Sequence, residues 1–164
     1  MPNLPLSLTS AALLVSSALL GAAVYDSVVL APNLRRGPAG LEHGRLFLKA
    51  ATPANLFRVI GPASQILLLA AIVVDWRNPQ VRWPLAGAFL ALVVADAITF
   101  AYHYPRNRLM FEAPLTVETE RLNRAARQWA IANLVRVALV LGCWLATLVA
   151  LLRLAAAQRA GLPV

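Results

Sequence analysis

The chain has 164 residues, of which 60% are hydrophobic and only 13% charged, with a formal net charge of +8. Soluble domains carry about a quarter charged residues, so a soluble globular protein is excluded, and the length accommodates about four membrane spans of roughly twenty residues. Nucleic acid is not an expected partner despite the basic charge, because the arginines lie between or beside apolar stretches rather than on a polar domain.

The first apolar stretch covers roughly residues 6–31. Ala22-Ala23 offers small residues of the kind found at leader cleavage sites, but no Lys or Arg precedes the stretch, so a retained span is expected. Gly21 and Tyr25 share a face of it, and Asp26 and then Pro32-Asn33 follow. Loop one carries Arg35, Arg36, His43, Arg45 and Lys49. The second span, roughly 55–74, places Asn55, Arg58, Pro62 and Gln65 within one narrow arc, and Pro62 removes a backbone hydrogen bond that should kink the helix. Trp76 and Trp83 flank the next short turn as an aromatic belt would.

The third span, roughly 83–104, contains Asp96 and, two turns along the same face, His103. Pro105 disfavours helical geometry at Tyr104 and should end the helix there. After Pro114, Thr116 is the expected N-cap of the fourth helix, with Glu118 and Glu120 in its first turn and Leu115, Leu122, Ala126 and Trp129 at helical spacing. That helix starts outside the bilayer and spans it over roughly 129–152, with Trp129, Asn133 and Arg136 on one face. The only cysteine, Cys143, lies deep in this span, so no internal disulfide forms.

Two six-residue segments nearly coincide: Ala54-Asn55-Leu56-Phe57-Arg58-Val59 and Ala132-Asn133-Leu134-Val135-Arg136-Val137. Val24-Tyr25-Asp26 and Ala101-Tyr102-His103 precede them at nearly the same offset. The reading is an all-α integral membrane four-helix bundle, one domain over 1–164, built from two duplicated transmembrane hairpins. Lys and Arg concentrate in loops one and three, which the positive-inside rule puts in the cytoplasm, both termini outside; the expected location is the bacterial inner membrane.

An aspartate at mid-bilayer costs about 2.5 to 3.5 kcal/mol, so Asp96 should face the bundle interior and pair with Arg58 or Arg136. All four helices bring polar groups to one end, which describes a pocket opening toward loops one and three, apolar below, with cations and amides at its mouth. Asp96, His103, Arg136 and Arg58 are the candidate catalytic groups, and Tyr25, Asn55, Asn107, Trp129 and Asn133 the candidate substrate-binding groups. Plainer roles stand beside these: snorkelling arginines, aromatic interface anchors, and a structural ion pair at Asp96. Asp96, His103, His43 and Asp26 also contain two histidines and a carboxylate, the set non-haem iron prefers, although no spacing among them is specific to a metal. His103 is also the only candidate axial ligand for haem.

Four short spans, Pro105-Arg106-Asn107 after the third, then Arg127-Gln128-Trp129 and Asn133-Leu134-Val135-Arg136, together resemble the small membrane proteins of the anthrone oxygenase-like family. The resemblance covers most of the chain. It implies a four-helix membrane bundle and, as in that family's few characterised members, oxidation of an anthrone to an anthraquinone by molecular oxygen without an organic cofactor. Its matching positions are Asn107, Trp129, Asn133 and Arg136; no family match is claimed for Asp96 and His103. The partners expected are an apolar aromatic small molecule and membrane lipid. Runs such as Ser16-Ser17-Ala18 and Ala86-Gly87-Ala88 fit either internal packing or a homo-oligomer. The alternatives are a non-enzymatic membrane protein or accessory subunit binding a small molecule, quinone or lipid, and a metal-dependent enzyme using His103 and Asp96. Transport ranks last, because polar residues are scarce in the half of the bundle away from loops one and three.

Overall fold

The computed structural model describes residues 4–112 and 118–160, and the expected cap at Thr116, with Pro114 and Leu115, lies outside them. Among the described residues four helices are long and apolar enough to cross a membrane: α1 (Leu4–Leu34), α3 (Pro53–Val74), α4 (Pro79–Glu112) and α5 (Thr119–Arg159). A further helix, α2 (Pro38–Phe47), occupies loop one, where none was expected. Three of the five helices begin on a proline, at Pro38, Pro53 and Pro79, whose fixed φ suits the first turn and whose missing N–H would have no helical partner there. In sequence α1, α3, α4 and α5 form a ring, each packing on the next and α5 closing back on α1.

Every spanning helix buries residues at alternating spacings of three and four. In α1 they are Thr9, Ala12, Ser16, Leu19, Ala23, Asp26 and Leu30. In α5 they include Leu122, Ala126, Trp129, Asn133, Arg136, Val140, Cys143, Thr147, Ala150 and Leu154. Val81, Leu85, Ala88, Leu92 and Ala95 continue the pattern in α4, and Gly61, Ser64, Leu68 and Ala71 in α3. A period of about 3.5 is the seam of a left-handed supercoiled bundle, and its many small residues let the backbones approach closely.

The proline expected to end the third helix does not end it. Tyr104 keeps helical angles (φ −60, ψ −46), and its N–H donates to the Thr99 carbonyl five residues back. The π-turn at Thr99–His103 widens the helix just before Pro105, which moves the preceding carbonyls away from the proline ring. α1 uses the same device: a π-turn at Asp26–Leu30, with Ala31 N–H donating to Asp26, precedes Pro32. The helix then runs on to Leu34 rather than stopping at 31.

Two apolar clusters result. One fills the middle of the bundle around Leu19, Leu68, Leu92, Val140 and Leu154. The other joins Leu34 and Leu41 to Met110, Leu122 and Trp129 at the end bearing loops one and three. α5 has 41 residues and passes through both. At about 1.5 Å per residue it is roughly twice as long as a hydrocarbon core of about 30 Å, so the bundle projects beyond the bilayer, as expected for the fourth helix. At the opposite turn Arg82 stacks between Trp76 and Trp83, 4.9 and 4.7 Å from their ring centres.

α2 folds back on the end of α1 through Gly37, at φ 78, and Gly40. A Cβ at Gly40 would collide with the Asn33 carbonyl oxygen and the Arg36 Cβ, whereas one at Gly87 would meet nothing. Gly40→Ala is therefore expected to destabilise the protein by about 1–3 kcal/mol and Gly87→Ala by nothing measurable. Thermal unfolding read by exposure of buried Cys143 to a thiol-reactive dye checks both.

Asp75, in the turn after α3, is 3% exposed and its Oδ2 has no hydrogen-bond partner. Burial raises its pKa above the ordinary aspartate value, so the folded state holds this proton to higher pH than the unfolded chain. Its contribution to stability is greatest below the unfolded pKa of about 3.9 and is lost as the pH rises through the raised value. Asp75→Asn should accordingly raise the melting temperature at neutral pH and leave it unchanged near about pH 3.5, as paired melts would show.

Candidate functional site

A polar layer lies between the two apolar clusters, and it occupies seam positions where a bundle ordinarily places Leu or Ala. Asp26, His103, Asn133 and Arg136 are all buried in it. Arg136 Nη2 donates to Asp26 Oδ2 at 2.7 Å, joining α5 to α1. One turn earlier, Asn133 Nδ2 donates to Ser27 Oγ at 2.6 Å and to the Ala23 carbonyl at 3.2 Å. Gln65 Nε2 donates to Asp96 Oδ2 at 2.6 Å, joining α3 to α4.

These contacts correct two expectations. Asp96 pairs with neither arginine: Gln65 is its partner, Arg136 is held by Asp26, and Arg58 is exposed with no ion pair among the described residues. Asn133, expected to bind substrate, has its amide donor turned to α1 and does not line the cavity described below. Tyr25 is also outside that cavity, 47% exposed on the outer face of α1.

The cavity, of about 760 Å³, opens within the layer between α3 and the part of α4 beyond Leu92, with α1, α2 and α5 completing its walls. Such a volume suits one small molecule. Beyond Ile98, α4 packs on α5, and the space toward α3 is left open. Asp96, His103, Arg136, Arg58, Asn55, Asn107 and Trp129 all line it, so seven of the nine residues singled out from the sequence converge there. Leu19, Phe57, Leu92, Phe100 and Val140 supply its apolar wall. A smaller cleft of about 290 Å³ between Tyr102 and Ile131 on the outer face contains no charged group.

His103 reaches this wall because of the π-turn. The seam of α4 would pass from Ala95 through Thr99 to Tyr102, but the wide turn adds one residue and brings His103 inward, 2% exposed, leaving Tyr102 outside at 40%. His103 stands edge-on to Trp129 at 5.4 Å with the Ile98 backbone beside it, and among the described residues no side chain hydrogen-bonds its ring nitrogens. Trp129 Nε1 and Arg136 Nε are likewise buried without partners. Arg136 also lies over the Phe57 ring at 4.5 Å. On α3, Pro62 cannot donate to the Arg58 carbonyl, and Gly61, buried against the cavity, has open space where a Cβ would be.

Among the described residues no three His, Cys, Asp or Glu side chains gather in one place. His43, one of the set considered for iron, is exposed on α2 with Nδ1 against the Ala39 carbonyl.

The sequence reading passed over Asp26 as the partner of Arg136 and Gln65 as that of Asp96. Asp26 was detectable as the one charged residue continuing the spacing Ala12, Ser16, Leu19, Ala23.

Fold and site define a four-helix membrane protein with an amphipathic cavity inside one end of the bundle. Comparison with known protein families, with curated proteins and with solved structures returns no match.

The buried pair yields a direct test. Asp26→Leu alone strands the Arg136 charge and should cost about 3–5 kcal/mol, while Asp26→Leu combined with Arg136→Met should recover most of it. Melts of Asp26→Leu, Arg136→Met and the double variant decide this; a double loss equal to the sum of the two single losses would mean that the two side chains act independently.

Proposed function

We propose that this bundle is a membrane oxidoreductase that takes a planar, anthrone-like phenolic substrate from the bilayer and oxidises it with molecular oxygen, without an organic cofactor. The observation that carries the reading is His103: an imidazole on the cavity wall, buried, with no side-chain partner on either nitrogen among the described residues. Whichever tautomer it adopts, it presents one lone pair and one N–H. The apolar wall holds the ring system, and Arg136 stabilises negative charge developing on the ring oxygen.

Each step balances. His103 removes a benzylic proton from the CH₂ opposite the ring carbonyl, leaving a carbanion delocalised onto the ring oxygen. The carbanion gives electrons to O₂ and bonds to it, and the proton held by His103 passes to the resulting peroxide. Loss of the second benzylic proton cleaves the O–O bond, forms the new carbonyl and releases water. Anthrone and O₂ thus become anthraquinone and water. Trp129 Nε1 is a free donor for the peroxide, and Asp96, fixed by Gln65, is the second base in reach of the cavity. In this reading the protein sits in the bacterial inner membrane with loops one and three in the cytoplasm.

Oxygen uptake by the protein in phosphatidylcholine nanodiscs supplied with anthrone is the test. Wild type should consume oxygen with or without chelator, and His103→Leu should lose about a hundredfold or more of the rate while melting normally. Gly61→Leu should fill the cavity, raise KM or abolish turnover, and leave the melting temperature unchanged. Undiminished uptake in His103→Leu sinks the mechanism. Chelator-sensitive uptake would favour a metal-dependent reaction. Anthrone binding without uptake would make the bundle a binding protein.

A further inference from the structure

Toward loops one and three the cavity has a second polar region that the proton chemistry does not use. Arg45 of α2, Lys49 in the turn after it, Arg58 of α3 and Arg108 of α4 all line it. Lys49, Arg58 and Arg108 are exposed, and none of them makes an ion pair or hydrogen bond among the described residues. Arg45 is fixed by donating Nε to the Met110 carbonyl at 2.7 Å, and its Nη2 is buried without an acceptor. Among the described residues Glu112 is the one acid facing them, since Asp26 and Asp96 lie deeper and are bound to Arg136 and Gln65. Asn55 accepts from Thr52 through Oδ1, which leaves its NH₂ free to donate.

Topology signals alone would put these cations anywhere along the loops. Here they come from different elements to one opening, and one of them is pinned with an unmet donor. Convergent forks and ammonium groups match an oxyanion with several acceptor oxygens, and the apolar wall below matches a hydrocarbon portion. We propose that the cavity mouth is a binding site for the phosphate group of an anionic amphiphile, whose apolar part enters the cavity below. The proposal rests on the same cavity as the oxidation reading but on none of its chemistry. It adds that an anionic phospholipid and an aromatic substrate compete for one volume.

Native mass spectrometry of the full chain in detergent micelles tests it, with phosphatidylglycerol and phosphatidylcholine added at equal concentration. Wild type should retain phosphatidylglycerol about tenfold better, the factor expected for one charge-assisted contact. Arg58→Gln and Arg108→Gln, alone and combined, should lose that preference, whereas Arg124→Gln, on the exposed face of α5, should keep it. Inorganic phosphate alone, read by melting temperature, separates the sources. A shift in wild type that Arg58→Gln abolishes means the free anion suffices, and no shift with lipid preference intact means the anchored headgroup is required. Equal retention of the two lipids, or a preference that survives both arginine substitutions, overturns the site. His103→Leu should bind phosphatidylglycerol as wild type does, so failure of the oxidation chemistry and failure of this site register separately.

Discussion

The interaction on which the structure depends is the contact of Arg136 with Asp26, 2.7 Å apart with side chains only 8% and 3% exposed. Either charge alone in a bilayer-spanning bundle is costly, and even a pair recovers its desolvation only if geometry is held tightly. Neighbouring contacts provide that hold. Asn133 clasps Ser27 and Ala23 one turn away, and Trp144 donates to Ser17 further along the same two helices. Register between α1 and α5 is therefore set by polar contacts, whereas Leu and Ala on a repeating seam would tolerate a slip of one heptad. With α1 and α5 locked, the apolar clusters fall on either side of a polar layer, and that layer is where the bundle leaves room for a ligand.

The prolines show why a cavity forms at this end. A π-turn keeps each helix intact across Pro32 and Pro105, and in α4 it also resets which side chain faces inward. His103 owes its position to that reset. On α3 the proline acts differently: Pro62 leaves the Arg58 carbonyl without its donor, and adjacent Gly61 withholds a side chain. Widened turns on one wall and a missing side chain on the other yield an opening without separating the helices elsewhere.

Much of this was legible in the sequence. Composition and apolar length determined the bundle, because a bilayer accepts few other solutions. Polar residues at helical spacing pointed to the cavity wall, since seven of the nine candidates line it. What was not legible depends on rotation between helices. Asn133 and Arg136 lie one turn apart on one face and both donate to α1, yet only Arg136 also borders the cavity. Helical spacing alone cannot show that difference. The π-turns were hidden for a related reason: the rule that a residue before proline avoids helical geometry assumes an ordinary turn, and a wider one escapes it. Helix α2 was missed because it is short and gains its apolar contacts from residues distant in sequence, Met110 and Leu122 among them.

Gly61 carries a consequence for how such a site diversifies. The cavity wall there is an absent side chain on an otherwise regular helix, with nothing within 4 Å of the missing Cβ. Glycine codons reach Ala, Ser, Val, Cys, Arg and an acidic residue by single-base changes. Each would project into the cavity while the buried pair and the seam stayed in place. The size and polarity of the cavity can thus drift one nucleotide at a time on a framework whose stability is decided elsewhere.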